Sequence, residues 1–287
     1  MTDICAYRLR LGRVVLELIC PDAELVVALA RYFDQASDPA EPDVSLELRL
    51  VSHGAAPTVP NSLILTKSLT ADGFDIADGL ISGRFDPASG RGELHVDEVL
   101  TRGLMTRVFE QILYQAFYSA LRRNGWDACL VHSSAVIRDG QAFLFVGPSE
   151  AGKSTIADLS QDALVLNDEM NLVEFLPEGP RLLASPFNGH YRAKQPGTAP
   201  LTAILLPQKG PEHRLESIGE GEATACVATQ IAPPVALESV AGPDVPAAML
   251  DLASKLVQKV PVRRMIFLKN AGFWPVIARA FPSSLRG

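Results

Sequence analysis

The stretch QAFLFVGPSEAGKST, Gln141 to Thr155, constrains this chain more than any other. An apolar run ending at Val146 leads into Gly147-x-x-x-x-Gly152-Lys153-Ser154, which satisfies the whole phosphate-loop pattern, and a helical run follows from Lys153. A strand that passes through such a loop into a helix is one unit of an α/β sheet. The glycines let the backbone turn so that successive N–H groups point at one anion, and the helix adds its positive end. The candidate phosphate-holding residues are Gly147, Pro148, Ser149, Glu150, Ala151, Gly152, Lys153, Ser154 and Thr155. In this pattern Lys153 reaches the terminal phosphates and Ser154 ligates Mg²⁺. Glu150 is the irregular member, because that position tends to need a left-handed backbone and is glycine in most such loops. A glutamate there also brings negative charge toward the phosphates, unless its side chain points to solvent and leaves the backbone cradle intact.

Composition limits what such a loop belongs to. With 287 residues, 47% of them hydrophobic, the chain supplies a core for two modest domains or one large one. A formal charge of −7 excludes a wide basic surface for nucleic acid, so any anion is held locally. Cys5, Cys20, Cys129 and Cys226 lie far apart with no C-x-x-C pair, which suggests neither a zinc site nor a disulfide framework. The N-terminal MTDICAYRLRLGR lacks the apolar run of a signal peptide, and no segment offers 18 uninterrupted apolar residues. The expectation is a cytoplasmic, soluble protein.

Two regions follow from the periodicity. Residues 1–125 read as a small α+β domain: two strands around Gly12, a helix through LVVALARYF, the alternating strand DVSLELRL, and further strands in SLILTKSL, GFDIADG and GRGELHVDEVL. It closes with a helix whose apolar stripe runs from Leu104 and Met105 to Leu121 and ends at Asn124-Gly125. Arg107, Glu110 and Gln111 on the other side of that helix exclude a membrane span. Residues 126–287 carry ACLVHSSAVIR, the phosphate-loop strand, ALVL and NLVEF, then strands in TAILLP, HRLESIG and VRRMIFLK, with helices at 219–230, 244–258 and 272–281.

Phosphoryl chemistry needs a metal ligand and a base beside the loop. Asp168, at the carboxyl end of ALVL, stands where a Walker-B-like carboxylate belongs, and Glu169 doubles the acidic character. The competing reading is a polar strand end with two solvated carboxylates. His132, on the strand before the loop, fits either a satisfied structural histidine or a catalyst. In SPFNGHYRAKQPG, His190, Arg192 and Lys194 fit either a cationic clamp or a solvated loop.

VHSSAV, GPSEAGKST and LNDE, with fifteen residues from His132 to Gly147, together resemble the catalytic core of the HPr serine kinase/phosphorylase family, especially its shorter HPr-kinase-related members. The resemblance covers roughly residues 127–195 well and 200–287 loosely. It implies a P-loop-containing core like that of phosphoenolpyruvate carboxykinase, here preceded by a smaller α+β domain unlike the N-terminal domain of true HPr kinase. By the same resemblance Lys153 and Ser154 take the phosphate and Mg²⁺ positions, Asp168 the first aspartate of the family's pair, Glu169 the second, and His132 the family histidine. The implied activity is Mg²⁺- and ATP-dependent transfer of a phosphoryl group to a hydroxyl of a peptide, a protein or a small molecule. An acidic residue of the pair takes the hydroxyl proton and His132 orients or tunes it. The metal ligands are then Ser154 and Asp168, and the catalytic set Asp168, Glu169, His132 and Lys153. HPr-kinase-like proteins are often oligomers, so a homo-oligomer is implied too.

Four features depart from the family pattern: Glu150 for glycine, Glu169 for aspartate, a slightly shorter Ser154–Asp168 linker, and no Arg-Gly-rich signature after the acidic pair. The last argues against HPr itself as acceptor. Two further readings stand beside the kinase: a nucleotide-binding or interaction module without turnover, and an ATPase coupled to a partner.

Overall fold

The computed structural model describes residues 5–52, 65–102, 107–187, 189–191, 193–240 and 244–283. Leu104, Met105 and Arg192 lie outside them. The chain is mixed α/β, with two mixed sheets and six α-helices among the described residues. It divides into two compact units, 1–126 with 233–246, and 127–232 with 247–287. A boundary at 125 alone leaves out the return of Pro233–Pro246 to the first unit.

The first unit is a seven-stranded sheet in the order β1 (Cys5–Leu11), β2 (Val14–Cys20), β3 (Val44–Val51), β7 (Arg91–Asp97), β6 (Ile81–Asp86), β5 (Gly73–Ile76), β4 (Lys67–Thr70). Strict alternation puts Leu9, Leu16, Leu18, Leu46, Leu48 and Leu94 on a fully or almost fully buried face, while Arg8–Glu17 and Arg49–Glu93 pairs mark the polar one. Two helices, α1 (Ala23–Phe33) and α2 (Arg107–Asn124), contact these strands. Asp22 caps α1 by accepting the Leu25 N–H at 2.9 Å, and Leu25, Leu29 and Phe33 form its buried stripe. In α2 every residue from Val108 to Leu121 is buried, including Glu110 and Gln111, which the apolar stripe had assigned to a polar side. Glu110 stays buried because Tyr32 Oη donates to it at 2.8 Å. No helix of the described residues is long and apolar enough to cross a membrane.

The second unit is built on β8 (Ala128–Arg138) and β9 (Gln141–Val146), a hairpin closed by Asp139 and Gly140, both at positive φ. Five strands pair in a ring: β8 with β11 (Met170–Leu176), β11 with β12 (Gly179–Leu183), β12 with β13 (Thr198–Lys209), β13 with β9, and β9 with β8. β10 (Leu164–Asn167) joins the edge of β8, and β15 (Val262–Phe267) with β14 (Arg214–Ser217) extends from β13. Strands β9, β13 and β15 run parallel. On this sheet Ile156 and Ala157 of α3 (Lys153–Asp158) and Phe273, Trp274 and Ile277 of α6 (Phe273–Ala280) bury a common core with Phe143, Phe145, Leu205 and Met265. The remaining helices are α4 (Glu220–Ala228) and α5 (Asp244–Lys259), and the division between units falls inside α5.

Candidate functional site

The loop of the phosphate-binding pattern leaves the carboxyl end of β9, between its partners β8 and β13. Gly152 lies against the end of β15: a Cβ there would sit 2.7 Å from the Phe267 ring, and its φ of +105° is already glycine territory. Glu150 has φ +66°, so the position does take the left-handed backbone, and its side chain is exposed. The glutamate therefore strains the loop without plugging it. Lys153 is buried at the first position of α3, and its Nζ donates to Gly147 O at 2.8 Å and Pro148 O at 3.0 Å. Burial pushes its ammonium below the usual lysine value, and the charges of Glu169 and then Asp168 push it back up. Ser154 and Thr155 stay partly exposed beside it.

The acidic pair occupies a break between two strands that both run antiparallel to β8. β10 ends at Asn167 and β11 begins at Met170, which pairs with His132. The break turns the two carboxylates into different surroundings. Glu169 O accepts the Ser133 N–H at 2.8 Å, and its carboxylate stands 3.7 Å from His132 Nε2, both side chains about one-fifth exposed (22% and 18%). Asp168 is 3% exposed; Oδ1 accepts the Tyr191 N–H at 3.0 Å, and Oδ2 is buried with no hydrogen-bond partner among the described residues.

The strands thus bring His132 to Glu169, and both acidic charges act on Lys153. Lys194, a candidate cationic clamp, donates to Pro186 O at 2.8 Å, and His190 is exposed. Three contributors had no sequence signal strong enough to name them: the Tyr191 N–H, Gly189, which lies against the Asp168 carboxylate, and Asn167. Only the asparagine directly before the acidic pair offered a hint.

Among the described residues no three His, Cys, Asp or Glu side chains gather as a metal cluster. A Mg²⁺ ion suits this donor set all the same, since it is held by one or two protein ligands plus substrate phosphates and water. Asp168 Oδ2, buried and without a hydrogen-bond partner among the described residues, is the atom such a cation would complete. No family model matches the chain, and no curated protein matches it.

Proposed function

We propose that the second unit binds a nucleoside triphosphate with Mg²⁺ and transfers its terminal phosphoryl group to a hydroxyl, as a kinase related to HPr serine kinase. The observation that carries this reading is Asp168: a buried carboxylate with one oxygen tied to Tyr191 N–H and the other without a hydrogen-bond partner among the described residues, its charge acting, after that of Glu169, on the lysine of a full phosphate-loop pattern. A buried carboxylate oxygen without a donor is costly unless a cation or proton completes it. When bound, Mg²⁺ neutralises charge on the phosphate oxygens.

The chain's own residues divide the remaining work. Loop N–H groups and Lys153 hold the phosphates, and Ser154 with Asp168 would hold the cation. Glu169, more exposed than Asp168 and beside His132, takes the acceptor's proton while His132 orients the carboxylate. In the transfer, the acceptor oxygen bonds to the terminal phosphorus and the bond to the bridging oxygen breaks. The nucleoside diphosphate leaves with that electron pair, and the hydroxyl proton goes to Glu169. The acceptor class is a hydroxyl on a peptide, a protein or a small molecule.

A nucleotide-binding module without turnover is the second reading, favoured by Lys153 spending two donors on Gly147 O and Pro148 O. The test is transfer of labelled phosphate from ATP to serine peptides and small alcohols, with Glu169→Gln expected to slow it about 10²-fold. Folded wild-type protein that binds Mg·ATP but transfers and hydrolyses nothing supports the second reading, and steady phosphate release without a labelled acceptor makes it an ATPase. Absence of nucleotide binding overturns all three.

A further inference from the structure

Asn167 is fully buried, and its amide spans two parts of the site. Nδ2 donates to Ser185 Oγ at 3.2 Å, to Ser185 O at 3.3 Å and to Phe187 O, while Oδ1 accepts the Glu169 N–H at 3.0 Å. A backbone N–H on one side and two carbonyls on the other settle which end of the amide is which. The Ser185 hydroxyl donates onward to Met170 O. One side chain therefore ties the break at 168–169 to Ser185 and Phe187, and four residues further on Tyr191 N–H reaches Asp168 Oδ1. The phosphate loop's own bonds run elsewhere, from Lys153 to Gly147 and Pro148 and from Ala151 to Pro148.

We infer that Asn167 is a positioning residue: by holding Ser185 and Phe187 it keeps Tyr191 N–H on Asp168 and so keeps that carboxylate set for a divalent cation. This rests on the phosphate-loop reading above. A buried polar network is stiff only when its members are satisfied together, and the groups that orient a metal-binding carboxylate typically govern about 10- to 100-fold in metal affinity.

Asn167→Asp separates positioning from bulk packing. It keeps the volume and the acceptor for Glu169 N–H, but turns the amide donor into an oxygen facing the carbonyls of Ser185 and Phe187. Ser185→Ala is the milder companion. Two quantities are read: the ATP dissociation constant by calorimetry, with Mg²⁺ and with chelator, and hydrogen exchange at the Tyr191 amide. The expected result for Asn167→Asp is a Mg²⁺ enhancement reduced about tenfold or more, metal-free ATP affinity within about twofold of wild type, and faster Tyr191 exchange. Ser185→Ala should move both the same way by less. The inference is overturned if folded Asn167→Asp keeps both quantities at wild-type values. It is equally overturned if Asn167→Asp unfolds while Ser185→Ala changes neither, since Asn167 is then scaffold alone. Wild-type protein that binds no ATP defeats the phosphate-loop reading and the metal half with it. Tyr191 exchange then still decides whether Asn167 holds that N–H in place.

Discussion

Gly189 lies against Asp168 so closely that a Cβ at position 189 would sit 2.0 Å from Oδ1. The hardest clash is with the carboxylate end of a side chain, which turns aside more cheaply than backbone, although the Asp168 backbone carbon also stands close, at 3.1 Å. Gly189→Ala should therefore fold and move the carboxylate rather than break the sheet. The expected outcome is a measurable loss of Tm in a protein that still folds, with Mg²⁺-dependent ATP affinity falling about tenfold and metal-free affinity nearly unchanged. Calorimetry with and without Mg²⁺ checks it, and an unchanged Mg²⁺ effect means the carboxylate does not serve the cation.

Glu150 stands exposed in a left-handed conformation, φ +66°, where an L side chain costs about 1–2 kcal/mol. Replacing it by glycine removes that strain and gives back part of the gain through a more flexible unfolded chain. Glu150→Gly should stabilise the protein by roughly 0.5–1 kcal/mol in urea unfolding. Loss of the negative charge should also raise ATP affinity at low salt and less so at high salt. A variant less stable than wild type would show that the carboxylate makes a compensating contact.

Burial lowers the Lys153 ammonium, with Glu169 and then Asp168 raising it. A bound phosphate favours the charged form, so the lysine's pKa is higher with nucleotide than without. Below the lowered pKa the amine is charged in both states and contributes no pH dependence. Between the two values binding takes up a proton, so affinity falls as pH rises. ATP dissociation constants from pH 7.5 to 10 should weaken at the alkaline end. In Glu169→Gln the fall should begin at lower pH, because the largest raising charge is gone. Lys153→Arg should be flat, its guanidinium staying charged throughout. A flat wild-type profile would remove Lys153 from phosphate binding.

What the sequence disclosed follows from what kind of signal each residue leaves. β8, β9 and α3 were legible because apolar runs, Asp139-Gly140 and the glycine spacing of the loop are local patterns. β6, reading ISGRFD, and β12, reading GPRLL, were not, because glycine, proline and arginine interrupt their alternation and only pairing with neighbours makes them strands. Glu110 looked like a surface residue until Tyr32, far off in sequence, proved to satisfy it. At the site, Lys153, Asp168, Glu169 and His132 stand out as residue types. Tyr191 acts through its backbone N–H and Gly189 through the lack of a side chain, and neither leaves a compositional trace.

Lys67, in the first unit, offers a test of stability apart from the proposed nucleotide site. It is 6% exposed, its Nζ donating to Gln115 Oε1 at 2.9 Å, Ala236 O at 2.8 Å and Leu237 O at 2.7 Å, which fastens the returning chain at Ala236 and Leu237. Burial pushes its pKa down to about 7 from 10.5, with Glu238 opposing and Arg122 assisting. Below about 7 the amine is charged folded and unfolded, and the desolvation penalty is fully felt. Between 7 and 10.5 the unfolded chain binds more protons, so this group makes stability rise with pH, by at most about 1.4 kcal/mol per unit. Urea unfolding of wild type against Lys67→Met, from pH 6 to 10, isolates the contribution: the difference between the two should change across that window in the wild type's favour as pH rises. Parallel curves would mean that the three acceptors hold the ammonium charged throughout, and that the segment is fastened by an ion rather than an amine.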